Sequence, residues 1–211
     1  MQHCVSNVLP TEQDMHGRRR TIIGVGGNIG AGKTTACKFF ESLGARYISA
    51  DRVGWEVLSE IADDLTTKFG GIIMDGKKID KEKLRTVVFS NKVSLDYLNK
   101  LSHPILVKKI LKRISMIKTP ITIIDAALLF DWPEVLRKVD YTVLVKANAK
   151  LKAARARTKG IERDLFEQIM KSQHRDEQMA KKAQFIINNN GDKKKLKRQC
   201  EAIYKEIKDD C

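Results

Sequence analysis

Aromatic side chains are scarce in this chain of 211 residues, at 6%, and they are not interleaved with its basic residues. The stacking platforms on which single-stranded nucleic acids are held are therefore missing, and no nucleic-acid partner is expected. Long hydrophobic runs are missing too. The longest apolar stretch, Ile121 to Phe130, is broken by Asp125 and has about half of the roughly 20 residues that a bilayer-crossing helix needs, so no membrane partner is expected. The first twenty residues lack the apolar central block of a secretory signal, and no export is expected. Cysteine is sparse: Cys4, Cys37, Cys200 and Cys211 have neither the close pairing of a zinc site nor the density of a disulfide framework, which fits a reduced, cytoplasmic setting. Acidic residues are outnumbered, 26 Asp and Glu against 40 Lys and Arg, for a formal charge of +14. That field attracts polyanions such as nucleotides, coenzymes and nucleic acids, although much of such charge is ordinarily solvated surface.

What is present is enough for a substantial core: 42% of the residues are hydrophobic, in a length that suits one domain with a modest insertion. Residues 1–20 show no sustained apolar period and read as a disordered extension, with Met15 a candidate start of translation. From Thr21 onward, short buried-type runs alternate with longer helical ones, the signature of a parallel sheet with crossover helices. The fold class is α/β, with about five strands expected at Thr21 to Val25, Arg46 to Ser49, Ile121 to Asp125, Tyr141 to Val145 and Phe185 to Asn188. Residues 55–118 are too long for one crossover helix and read as a helical substrate-binding insertion, with Pro104 starting or kinking a helix. Residues 149–182, rich in arginine, read as a basic lid, and Lys193 to Ile207 as a terminal amphipathic helix.

The strongest motif is Gly27-Asn28-Ile29-Gly30-Ala31-Gly32-Lys33-Thr34, the Walker A spacing with every required residue present. An apolar strand runs into it and a helix beginning near Lys33 runs out. Backbone N–H groups and the helix N-terminus therefore converge on phosphates, and the expected ligand is ATP. Lys33 is expected to neutralise the β- and γ-phosphates, Thr34 to ligate Mg²⁺, and Thr35 to reach the α-phosphate. Asp51 follows a strand and stands either as a base for an acceptor hydroxyl or as a helix N-cap; Arg52 beside it is an anion contact or the salt-bridge partner of Asp51. Asp125 ends the run Ile121-Thr122-Ile123-Ile124 and is either a Walker B carboxylate for Mg²⁺ or a cap. Arg155 and Arg157 do not share a helix face, so only one of them is expected to point at ATP. His103, before Pro104, reads from the residues alone as a structural turn, and so does His174.

In this order the pieces resemble the dephospho-CoA kinase family over nearly all of Ile22 to Leu196. The resemblance is carried by Gly26 to Thr35, Ala50-Asp51, Phe69-Gly70-Gly71, Asp75-Gly76, Ile79-Asp80, Leu84, Val88-Phe89, Leu98-Asn99 and His103-Pro104. It continues through Leu128-Leu129-Phe130-Asp131, Gln173, and Asn189 with Gly191. The chain departs from the family pattern at Ser49, Trp55, Lys81, Ala127 and Gln184.

The resemblance implies a P-loop nucleotide-kinase-like core with a CoA-side helical domain and a lid, acting as a monomer or a homotrimer. It implies phosphoryl transfer from ATP to the 3′-hydroxyl of dephospho-CoA, with Asp51 as base. Asp51, Arg52, Asp80 and His103 become acceptor-binding candidates, and Asn189 a residue near the adenine. On the residues alone, a nucleoside or nucleotide kinase and a nucleic-acid-dependent ATPase remain alternatives.

Overall fold

Short β-branched runs alternating with longer amphipathic ones fold this chain into a parallel sheet with helices on both faces. The computed structural model describes residues 20–210; the expected extension before Arg20, with Met15, and the cysteines Cys4 and Cys211 lie outside the described residues. Strand β1 (Thr21–Gly26) leads through the glycine-rich loop into α1 (Lys33–Ser42), and β2 (Arg46–Ser49) passes straight into α2 (Ala50–Glu60). Next come α3 (Ala62–Phe69), an antiparallel hairpin of β3 (Met74–Asp75) and β4 (Lys78–Ile79), α4 (Lys81–Ser90) and the 25-residue α5 (Lys92–Met116). The chain continues through β5 (Ile121–Asp125), α6 (Pro133–Leu136), β6 (Tyr141–Lys146), α7 (Ala149–Arg157), α8 (Arg163–Ser172) and α9 (Asp176–Ala180). It ends in β7 (Phe185–Asn188) and α10 (Lys193–Asp209).

The five-stranded sheet has the order β2-β5-β1-β6-β7, with every pairing parallel. Parallel strands are covered on both faces and read as continuous apolar runs, and all five residues of β5 are buried. Their side chains divide by strict alternation. Ile121 and Ile123 enter the core shared with α1 and α10, whereas Ile124 packs with α2, α4 and α5. The strands fall where the sequence places them, with β1 and β6 each one residue longer than expected.

Two local expectations change. The helical stretch begins at Ala50, not 55, because Ser49 is the N-cap of α2: its hydroxyl accepts from the Arg52 amide at 3.3 Å. Asp51 is therefore not the cap but a first-turn residue, where its charge complements the helix dipole. Of the two readings of Pro104, starting or kinking a helix, the first does not hold: Pro104 lies inside α5, which is opened by Asn91, whose side chain accepts from the Ser94 amide. No helix among the described residues is long and apolar enough to cross a membrane.

The register matters for function, because Val25 and Ser49 both stand opposite Asp125. The carboxyl ends of three adjacent strands thus finish level, at the edge where open α/β sheets bind ligands. The helices that cover this edge are anchored by Ile110, which is fully buried among α2, α4 and α5. Truncation of Ile110 to Ala is expected to cost about 2–5 kcal/mol of unfolding free energy, the usual range for such a cavity, as measured by urea denaturation.

Candidate active site

The loop between β1 and α1 turns back on itself to aim its amides at one point. Gly30 and Gly32 make the turn, with φ of 74° and 100°, a region costly for any residue with a Cβ. Space forbids a side chain as well: a Cβ on Gly30 would lie 2.2 Å from the Lys152 carbonyl oxygen, and one on Gly32 at 2.2 Å from the Asn189 amide nitrogen. Helix α1 then starts at Lys33, so the Lys33 and Thr34 amides have no helical carbonyl to bond. Thr35, by contrast, donates its amide to the Gly32 carbonyl at 3.1 Å. The Lys33 ammonium reaches back to the Asn28 carbonyl at 3.4 Å.

The loop is held from behind by the segment 149–182 and by Asn189, which follows β7. Asn189 donates its amide to the Ala31 carbonyl at 2.8 Å. Arg155 donates to the Gly30, Ala31 and Asn189 carbonyls at 3.4, 3.3 and 2.9 Å. Ile29 donates its amide to the Gln173 side chain at 2.9 Å. The buried Asn28 side chain does not face the loop's concavity; it donates to the His174 carbonyl and to Asp176, at 3.1 and 2.9 Å. Asp176 also takes an ion pair from Lys152 at 2.9 Å, a lysine whose side chain is only 6% exposed.

The two lid arginines are thereby separated: Arg155 reaches the phosphate loop, whereas Arg157 is exposed on the other side of α7. Asn189, expected near an adenine, braces the loop through the Ala31 carbonyl.

At the strand ends, Asp125 is 5% exposed, and its Oδ2 accepts from Thr34 Oγ1 and from Tyr47 Oη, each at 3.0 Å. Burial pushes the Asp125 carboxyl above its ordinary range; nearby Lys33 pulls it down and nearby Asp51 pushes it up. Burial, then the Asp125 charge, also raises the Tyr47 phenol.

Asp51, Trp55, Arg85 and His103 are among the residues lining an adjoining cavity of about 280 Å³ between α2, α4 and α5, with Leu128 and Trp132 on its far wall. Arg52 is exposed and does not line it. Asp80 does not line it either: its carboxylate caps α4, accepting from the Glu82 and Lys83 amides at 2.9 and 2.8 Å. Both histidines lie within the influence of Asp131. His174 Nε2 is 2.5 Å from the Asp131 carboxylate, and His103, stacked edge-on against Trp132, also feels that charge.

A phosphate-cradling loop, a strand-end carboxylate and a second carboxylate on an acceptor cavity are the parts of a small-molecule kinase. A family model described as dephospho-CoA kinase matches residues 21–195. The chain belongs to the dephospho-CoA kinase family. A dephospho-CoA kinase of Fusobacterium nucleatum is 32% identical over 191 residues, which are 86% of this chain and 98% of that one. One from Aquifex aeolicus is 30% identical over 192 residues, covering 88% and 96%. A crystal structure from Thermus thermophilus superposes with a TM-score of 0.72 at 25% identity, over 89% of this chain and 97% of that one.

Against this dephospho-CoA kinase frame, reading the sequence missed Tyr47, Arg85, Lys152, Asp176 and Trp132. Only Tyr47 carried a usable signal. Tyr47 and Ser49 alternate onto one face of β2, and that face meets Asp125 once β2 and β5 are paired in register.

His103 yields a prediction with a definite sign. Burial lowers its pKa below 6.5, outweighing the opposing pull of Asp131. Its contribution to stability is complete above pH 6.5 and is lost as pH falls toward the depressed folded value. His103→Gln, which cannot titrate, is expected to lose less melting temperature than the wild type between pH 7.5 and about 5.5, measured by scanning calorimetry.

Proposed function

We propose that this protein transfers the γ-phosphoryl group of ATP to the 3′-hydroxyl of dephospho-CoA, giving CoA and ADP as the last step of coenzyme A biosynthesis. The observation that carries this reading is the position of Asp51. It lines the acceptor cavity and is close enough to Asp125 to raise its pKa, so the cavity and the phosphate loop share one edge of the sheet.

Phosphoryl transfer asks the protein for positioning and charge more than for covalent chemistry, because the transferred group spreads its charge over three oxygens. The loop amides and the Lys33 ammonium take the β- and γ-phosphates. Asp51 receives the proton of the 3′-hydroxyl while that oxygen bonds to the γ-phosphorus and the bond to the β,γ-bridging oxygen breaks, releasing ADP. Arg155 is the lid arginine of this reading, since it already borders the phosphate loop, while Arg157 is left to solvent.

Thr34 Oγ1 and Asp125 Oδ2, 3.0 Å apart, are hard oxygen donors at the foot of the loop and would hold Mg²⁺, which would supply positive charge to neutralise the phosphates. Among the described residues no cluster of three or more His, Cys, Asp or Glu forms a separate metal cage. The Cys37 and Cys200 thiols are free and buried.

The test is a product assay: ATP with dephospho-CoA, and CoA detected by mass, beside a panel of nucleosides and nucleoside monophosphates. CoA formation with no product from the panel is the expected result. Preferential phosphorylation of a nucleoside overturns the reading. Asp51→Asn is expected to keep ATP affinity and to lose turnover by roughly two to four powers of ten, the range for a missing acid–base group. Near-normal turnover in that variant removes Asp51 from the role of base.

A further inference from the structure

The acceptor cavity holds one permanently cationic lining residue, Arg85, on α4. Its guanidinium is only partly exposed and has no hydrogen-bond or ion-pair partner among the described residues. A partly desolvated charge without a counterion costs free energy, which makes the site receptive to an anion. The one carboxylate on the same cavity, Asp51, is needed for the acceptor hydroxyl in the function proposed above. His103 brings no standing charge, because burial keeps its pKa low.

A second cation stands one helical turn away. Lys81 and Arg85 are four residues apart on α4 and so lie on one face of that helix. The Lys81 ammonium sits over the Trp55 ring, 4.0 Å from its centroid, and Trp55 is itself part of the cavity wall. The indole face attracts the cation and limits the rotamers of a side chain that otherwise waves in solvent. Neighbouring Asp80 does not neutralise it, because that carboxylate is engaged by the first-turn amides of α4. Trp55 thus ties an exposed ammonium to the rim of the cavity that Arg85 enters.

We propose that Lys81, steadied on Trp55, and Arg85 together grip the diphosphate of the acceptor, an inference that rests on the function proposed above. In dephospho-CoA the diphosphate hangs from the 5′ carbon of the same ribose whose 3′-hydroxyl must meet Asp51, so both groups belong in one cavity. The planar fork of Arg85 suits two phosphate oxygens at once, and Lys81 adds a point charge at the rim. These are positioning and specificity contacts. They select an acceptor that carries a diphosphate over a bare nucleoside, and they leave the transfer step itself to Asp51 and the phosphate loop.

The experiment is steady-state kinetics on Lys81→Ala, Arg85→Ala, the double variant and Trp55→Leu, with adenosine as a probe that lacks the diphosphate. Arg85→Ala is expected to raise KM for dephospho-CoA by about tenfold or more, the effect of losing a hydrogen bond to a charged group. Lys81→Ala and Trp55→Leu are expected to raise it by roughly two- to fivefold, the scale of an exposed cation–π contact. In all of them kcat and the KM for ATP stay within about twofold, and inhibition by adenosine is unchanged. The wild-type preference for dephospho-CoA is expected to shrink with added salt more than that of the double variant, because screening acts on the charges removed.

An unchanged KM for dephospho-CoA in the double variant overturns the inference. An equal loss of adenosine binding also overturns it, since that marks collapse of the cavity rather than loss of an anion contact. If the wild type makes no CoA, the function proposed above fails first. If it makes CoA normally and the double variant matches it, this inference alone fails.

Discussion

A loop can offer its amides to a phosphate only if its own carbonyls and side chains are satisfied somewhere else, and here they are satisfied from behind. The Gly30 and Ala31 carbonyls receive Arg155 and Asn189, the Asn28 carbonyl receives the Ala31 amide and the Lys33 ammonium, and the Gly32 carbonyl receives the Thr35 and Ala36 amides. Buried polar groups left without partners are expensive, so this arrangement holds one loop geometry against many alternatives. The brace is itself charged. Lys152 is buried and depends on Asp176, which in turn holds Asn28. Segment 149–182 is therefore part of the support that fixes the loop.

The two halves of the site use different chemistry for a physical reason. In the proposed function the donor half recognises phosphates through the main chain, whose N–H groups are fixed by the strand–loop–helix turn and need no particular side chain beyond Lys33 and Thr34. The acceptor half is mostly an apolar wall between α2, α4 and α5, with Asp51 and Arg85 as its charged groups. Asp125 lies where the halves meet. Its carboxylate is held by Thr34 from the loop and Tyr47 from β2 and is influenced by both Lys33 and Asp51, so the electrostatics of one half are felt in the other.

Much of this was legible in the chain itself. The central strands of the sheet stand out because a strand buried on both faces is a short, largely apolar run, and Ile121 to Asp125, with all five residues buried, is such a run. The phosphate loop stands out because its glycines, lysine and threonine act through local geometry. The acceptor side was less legible. Arg155 and Arg157 look alike in sequence, and only the packing of α7 against the loop separates them. Asp80 looked like an acceptor contact and is a helix cap, because a carboxylate before an amphipathic run serves either purpose until the fold places it.

By itself, then, the sequence determined the α/β class, the strand positions, the nucleotide loop and the place of Asp51 at a strand end, all of them properties of residues close together along the chain. The tertiary structure alone decided that Tyr47 meets Asp125, that Lys152 and Asp176 brace the loop, and that Trp55 on α2 carries Lys81 from α4 beside Arg85. Each of these joins side chains from different elements. Such contacts depend on how helices and strands pack, which no local pattern of residues encodes.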